Sequence, residues 1–118
     1  MWMRCSLGQK WDGKTCNGNP LIYSWGDSLK AAVSHEFVGY SDWRLPNKNE
    51  LLSIVEDRCV TLAINAKIFP ATPSGYFWSS SPYAALATGA WSIDFGYGIV
   101  TATEKSGKLF VRLVRVID

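Results

Sequence analysis

The sequence predicts an α+β domain in which two helices pack on a small antiparallel sheet, and three observations carry that prediction. Helix-start signals occur at Ser24 and at Asn47, both in the first half of the chain. From Gly75 onward apolar residues alternate with polar ones, the period of a strand with one buried face. The two patterns are segregated along the chain rather than interleaved, which favours α+β over a parallel βαβ arrangement.

Each element follows from local chemistry. Trp2 to Ser6 is short and apolar enough for a strand, and the turn residues from Gly8 to Asn19 predict a long loop after it. Ser24 caps a helix expected over Trp25 to Glu36, with Asp27 three residues on and Trp25, Leu29, Val33 and Phe37 recurring every fourth position. A second helix is expected from Asn47, which follows Pro46 and stands three residues before Glu50, through Leu51, Leu52, Ile54 and Val55 to near Arg58. Val60 to Gly75 holds Asn65, Pro70 and Pro73 without a sustained period, so it reads as an irregular surface connection.

Strands are expected at Tyr76 to Ser80, over the alternating set Trp91, Ile93, Phe95 and Tyr97, and at Ile99 to Thr103. Lys105-Ser106-Gly107-Lys108 then predicts a hairpin turn into Leu109 to Ile117, which is apolar on both faces apart from Arg112 and Arg115. That last strand is expected at the centre of the sheet.

At 118 residues the chain has room for a single domain and one core, residues 1–118 together. With 47% apolar and 19% charged residues it has globular composition. Its apolar runs fall far short of the ~20 residues of a membrane span. A net charge of +2, scattered rather than gathered in a stripe, argues against a nucleic-acid partner. Local groups such as Arg4, Lys10 and Lys14, or Lys105 and Lys108, are the ones that would suit a sulfated or acidic glycan, the plainer reading being ordinary solvated charges.

The odd count of three cysteines allows one internal pair. Cys5 and Cys16 flank a glycine-bearing loop and suit a short staple, although Cys59 could replace either partner. An oxidising compartment would close the bond and cytosol would leave three thiols. No export leader is visible ahead of Cys5, so the chain reads either as cytoplasmic or as one with a trimmed or misplaced start.

The inventory for catalysis is thin. His35 is the single histidine, no Gly-x-Ser-x-Gly elbow presents a nucleophile, and Ser79, Ser80 and Ser81 read as backbone-binding hydroxyls at a strand end. Cysteine and histidine spacing offers no structural zinc site. Asp12, Asn17 and Asn19 supply oxygen donors in one loop, yet their spacing is that of a turn rather than of a calcium loop. No enzymatic activity, metal or cofactor is expected.

Several motifs taken together resemble the Lcl C-terminal domain family. They are Trp43-Arg44-Leu45-Pro46, Phe77-Trp78-Ser79-Ser80-Ser81, Phe95-Gly96-Tyr97-Gly98 and Phe110-Val111-Arg112-Leu113-Val114-Arg115, joined by Trp2-Met3-Arg4-Cys5, Gly8-Gln9, Trp11-Asp12-Gly13, Thr15-Cys16 and Gly39-Tyr40-Ser41-Asp42. The resemblance spans essentially the whole chain. It implies a C-type-lectin-like fold and an extracellular or periplasmic recognition or adhesion role, the adhesin that names the family being associated with sulfated glycosaminoglycans. Members usually carry further strand residues ahead of the equivalent of Met1-Trp2-Met3, so the N-terminal strand is expected to be incomplete. The formylglycine-generating enzymes share the implied architecture but use a cysteine pair late in the domain, whereas all three cysteines here precede Val60.

Remaining residues divide into scaffold and surface. Arg44 is expected to tie loop carbonyls together, and at least one of Arg112 and Arg115 to be a buried hydrogen-bonding hub among apolar neighbours. Trp43, Trp78 and Trp91, with Trp25, are expected mostly in the core. Tyr83, Tyr97, Thr101, Thr103, Lys105 and Lys108 are the expected ligand-binding set, by analogy with the retroelement variable proteins that present contacts on this part of the fold. Their partner would be a glycan or a cell-surface protein. A self-assembling structural protein, with the exposed Tyr and Thr positions packing between copies, is the alternative.

Overall fold

A computed structural model describes residues 2–34, 40, 42–54, 69, 72, 75–95 and 98–115. Its elements are α+β: β1 (Lys10–Trp11), β2 (Cys16–Asn17), α1 (Trp25–Ser34), α2 (Lys48–Ser53), β3 (Tyr76–Pro82), β4 (Gly89–Asp94) and β5 (Ile99–Glu104). Strands β3, β4 and β5 form an antiparallel sheet in chain order, and β1 pairs with β2 in a separate ribbon.

The sheet divides the interior into two clusters, where the chain length predicts one core. Directly opposed residues share a face, so Phe77, Ile93 and Val100 lie on one side and Trp78, Ser92 and Thr101 on the other. On the first side Phe77, Ile93 and Phe95 pack with Leu51 of α2 and with Phe69. On the second Trp78 and Ala90 pack with Ala32 of α1, Trp43, Leu45, Val111 and Leu113. Burying one such large side chain contributes about 1.5–3 kcal/mol. The helices therefore sit on opposite faces.

Strand β4, between two neighbours and two cores, is buried on both faces at Ala90, Ser92 and Ile93. The alternation of Trp91, Ile93, Phe95 and Tyr97 predicts one buried face, and the difference arises because α1 and α2 cover opposite sides.

Helix α1 starts where its cap predicts, with the Asp27 amide donating to Ser24 Oγ at 3.3 Å. Its buried positions are Ser28 and Ala32, flanked by Trp25 and Leu29, while Val33 is 81% exposed. A stride of four residues advances 400°, so Trp25, Leu29 and Val33 drift by 40° per step, and Val33 leaves the core face. The expected end at Glu36 lies outside the described residues.

In α2, Asn47 and Glu50 make a reciprocal capping box. The helix spans Lys48–Ser53 with Ile54 as its cap, and the expected end near Arg58 lies outside the described residues.

The last segment departs most from expectation. Leu109 to Val114, half-buried at Leu109 and Phe110 and buried from Val111 onward, forms isolated bridges rather than a strand. It has no single neighbour. Leu109 exchanges hydrogen bonds with Tyr23, Phe110 bonds Tyr76 and Trp78 in the parallel sense, and Val111 and Leu113 accept from Leu7 and Met3. Val114 then exchanges bonds with Arg44. A segment shared among four partners is central without building a ladder.

For the same reason Lys105-Ser106-Gly107-Lys108 is a turn but not a hairpin, since the chain leaves β5 and returns along the far side of β3. The N-terminal residues likewise run beside this segment with one bridge at Trp2 instead of a regular strand. The expected Gly8 to Asn19 loop contains the β1–β2 ribbon. At Gly8, with φ of +99°, a Cβ would lie 2.6 Å from the Leu21 amide nitrogen, so only glycine fits.

Candidate functional site

At one end of the sheet the close of β3, the start of β4 and the close of β5 meet. The 83–88 loop is held by the Tyr83 amide donating to Gly89 O and the Gly89 amide donating to Leu86 O. Lys105 fastens that loop to the rest of the fold: its amide donates to Thr88 O, its carbonyl accepts from the Trp25 amide, and its Nζ donates to Ala87 O at 2.8 Å. The same ammonium lies 4.4 Å above the Trp25 ring. Trp25 is in turn oriented by its indole N–H donating to Ser79 O. Ala87, Thr88, Glu104, Lys105 and Ser106 enclose an open cleft of about 420 Å³.

On the α2 side of the sheet, Tyr83 meets Trp91 edge-on at 5.0 Å and Lys48 Nζ stands 4.7 Å over the Trp91 ring. Lys48 is placed by the first turn of α2, where its amide donates to Ser81 Oγ. Among the described residues neither Lys48 nor Lys105 has a carboxylate partner. Each cation rests on an aromatic face and a neutral framework.

The expected ligand-binding residues are thus only partly brought together. Lys105 lines the cleft, and Tyr83 flanks it on the α2 side. Thr101 and Thr103 are half-buried on the opposite face, with Thr103 Oγ1 2.9 Å from Ser92 Oγ. Lys108 is exposed, and Tyr97 lies outside the described residues. Lys48 and Trp25 were not among the candidates. Lys48 opens a capped helix and Trp25 stands in a helical core pattern, and both signals point to structure.

Trp43 and Trp78 are buried, whereas Trp25 and Trp91 are half-buried at this end of the sheet. Ser79 and Ser81 are engaged with backbone: Ser79 Oγ donates to Trp91 O, and Ser81 Oγ accepts from Lys48. The Ser80 amide donates to Pro46 O, which joins the Trp43–Pro46 and Phe77–Ser81 motifs.

Three arginines mark the scaffold. The Arg44 guanidinium binds Glu50 through two hydrogen bonds of 2.7 and 2.6 Å rather than loop carbonyls, and its backbone makes the tie to Val114. Arg115 binds Asp42 in the same bidentate way and lies 3.6 Å over the Tyr40 ring.

Arg112 is the hub, fully buried, with Nη1 donating to Met3 O and Arg4 O and Nη2 to Thr72 Oγ1. The rings of Phe69 and Phe77 flank it at 4.7 and 5.7 Å. Burial pulls its pKa down to about 9, which still leaves it charged at neutral pH.

Beside the Arg4 carbonyl, Cys5 and Cys16 form the disulfide, and Cys59 lies outside the described residues. In the intervening loop Asp12 Oδ1 accepts from the Lys14 and Thr15 amides and Oδ2 from the Asn17 side chain. The Thr15 bond, followed by those of Lys14 and Asn17, holds the Asp12 carboxyl below its ordinary pKa. Those oxygens brace a turn, and the described residues contain no group of three acidic, Cys or His side chains that could hold a metal.

The fold and these contacts define a small disulfide-stapled α+β domain with a lysine held over a tryptophan on each face of its sheet. Residues 1–115 match the Lcl C-terminal domain, and the chain belongs to that family. No curated protein matches it.

Proposed function

We propose that the chain is a noncatalytic recognition module on a C-type-lectin-like scaffold, and that it takes an acidic or sulfated glycan at the open end of the sheet. The observation that carries this reading is the placement of Lys105 at the cleft, fixed by Ala87 O and the Trp25 ring and left without a carboxylate partner among the described residues. A cation held by neutral groups keeps its charge for a ligand. Lys48 on Trp91, with Tyr83 at its edge, adds a second cation and an aromatic surface of the kind that packs on sugar rings.

The noncatalytic part is supported by the occupation of the reactive groups: Ser79 and Ser81 are tied to backbone, and Cys5 and Cys16 to each other. Glu104 also lines the cleft and opposes an anion there.

Titration of the protein with size-defined heparin oligosaccharides tests the reading. Binding is expected to weaken several-fold in the double variant Lys48→Ala, Lys105→Ala, to strengthen in Glu104→Gln, and to decline as salt shortens the screening length below about 8 Å. Binding indifferent to all three changes, or absent at millimolar oligosaccharide, defeats it.

A further inference from the structure

The sheet has two edges, and the fold treats them differently. The outer side of β3 is occupied: the Trp78 amide donates to Phe110 O and the Phe110 amide to Tyr76 O. Beyond β5 no strand lies among the described residues. The register shows which β5 groups are left over. Gly89 bonds across to Tyr83, and Thr88 to Lys105, so alternation assigns Ala90, Ser92 and Asp94 to ladder bonds with Thr103, Thr101 and Ile99. The backbone groups of Val100 and Ala102 therefore point outward, with the Glu104 amide beside them.

Natural edges of this kind are commonly protected by lysine, proline or a bulge. Ile99–Glu104 contains none of these: its six pairs with β4 run without interruption, its sequence is Ile-Val-Thr-Ala-Thr-Glu, and Ile99 is 48% exposed.

We propose that this edge pairs antiparallel with the same edge of a second copy of the chain, across a twofold axis at Ala102, joining two three-stranded sheets into one of six strands. A second copy fits the edge in both register and side chains. Outward groups can bond only to outward groups, so even-numbered residues must face even-numbered ones. The alignment that uses all of Val100 to Glu104 sets Ala102 against itself and Val100 against Glu104 of the second copy. Ala102 is small and exposed, so the axis is open to close approach.

Thr101 then faces Thr103 of the second copy on both sides of the axis, a favourable cross-strand pair. Glu104 meets a valine rather than another carboxylate. Sliding the register by two residues either way keeps even-numbered residues opposed but pairs fewer of Val100, Ala102 and Glu104 with one another, and sliding it by four sets Glu104 against Glu104 or runs into the Gly98 turn. The sequence thus favours one self-complementary alignment. The edge adjoins the Lys105 cleft through Glu104, but pairing is read on the protein without glycan and through Ala102, so this inference and the recognition reading fail separately.

Sedimentation of the full chain over a wide concentration range provides the test. A monomer–dimer equilibrium is expected. Ala102→Pro removes an outward amide without removing a β4 bond, and Ala102→Lys places two cations on the axis; each should weaken dimerisation at least tenfold. Opposed residues of a hydrogen-bonded pair lie about 5.5 Å apart at Cα, within disulfide reach, so Ala102→Cys should form a covalent dimer joined through the two introduced thiols, identified by peptide mapping. The cross-link decides the matter if either other variant fails to fold. A monomer at ~1 mM, a trimer, a dimer indifferent to both substitutions, or no cross-link under oxidant would overturn the proposal.

Discussion

The buried Arg112 site and the open end of the sheet are built from the same contact, a cation over an aromatic ring, in opposite surroundings. At Arg112 the cation lies between Phe69 and Phe77, two carbonyls and a threonine hydroxyl take three of its donor bonds, and no part of the residue reaches solvent. At the sheet end Lys105 gives one bond to Ala87 and leans on Trp25, and it remains half-buried at the wall of a cleft. The difference lies in desolvation. A guanidinium out of water needs many donors satisfied at once, which suits its planar fork, whereas an ammonium at a surface is satisfied by one bond and solvent. The first cation is enclosed by the fold and the second still meets solvent, which is what the proposed recognition role requires of it.

The largest expected effect breaks the first half of that contrast. Arg112→Leu should destabilise the protein by about 3–5 kcal/mol, because Met3 O, which is buried, and Arg4 O and Thr72 Oγ1, which are partly buried, all lose their donor to a shape that cannot pair with them. Arg112→Lys should recover only part of the loss, since one ammonium cannot span the same acceptors. Urea denaturation measures both. A leucine variant within ~1 kcal/mol of the parent would mean that the cation is not the hub the geometry describes.

How far these two sites could be read in the sequence follows the same division. Arg112 stands alone in an apolar run, and that local anomaly is enough to mark a buried polar group. The capped starts of α1 and α2 and strands β3 to β5 were also legible, because caps and alternation are local. What was not legible depends on partners distant in the chain. The Leu109–Val114 segment has strand composition, yet four different neighbours break its ladder. Lys48 reaches Trp91 only because the Ser79–Ser81 region of β3 sits beside the first turn of α2. The expected pairing of Arg44 with carbonyls was displaced by Glu50, six residues away, which the helix turn brings within 2.6 Å.

That Arg44–Glu50 pair lies between the two extremes and sharpens the comparison through pH. The hydrogen bond from Arg44 is the main cause holding the Glu50 carboxyl below its ordinary value of 4.5, burial opposes it, and the Asn47 amide adds to it. A depressed carboxylate contributes stability that is complete above the unfolded pKa and is lost as pH falls through the folded one. The pair is partly exposed, so its contribution is discounted to about 1 kcal/mol. Glu50→Gln should therefore lower the melting temperature at pH 7, and the gap from the parent should close as pH falls below about 4.5. A gap that persists unchanged at pH 3 would place the effect in the amide's packing instead of in charge.

The smallest expected change in stability tests the other half of the contrast. Lys105→Met keeps the aliphatic stem over Trp25 and deletes the ammonium with its bond to Ala87. If that cation is held for a ligand, the fold should lose only about 0.5 kcal/mol, the scale of an exposed cation–aromatic contact. Heparin oligosaccharide binding should fall several-fold in the same variant. The two readouts must separate: a large loss of stability would make Lys105 a second structural hub like Arg112. Unchanged stability with unchanged binding would leave the cleft without a role for its charge. Separation in the expected sense would show that burial, rather than the aromatic ring beneath it, decides whether a cation in this fold serves the core or a partner.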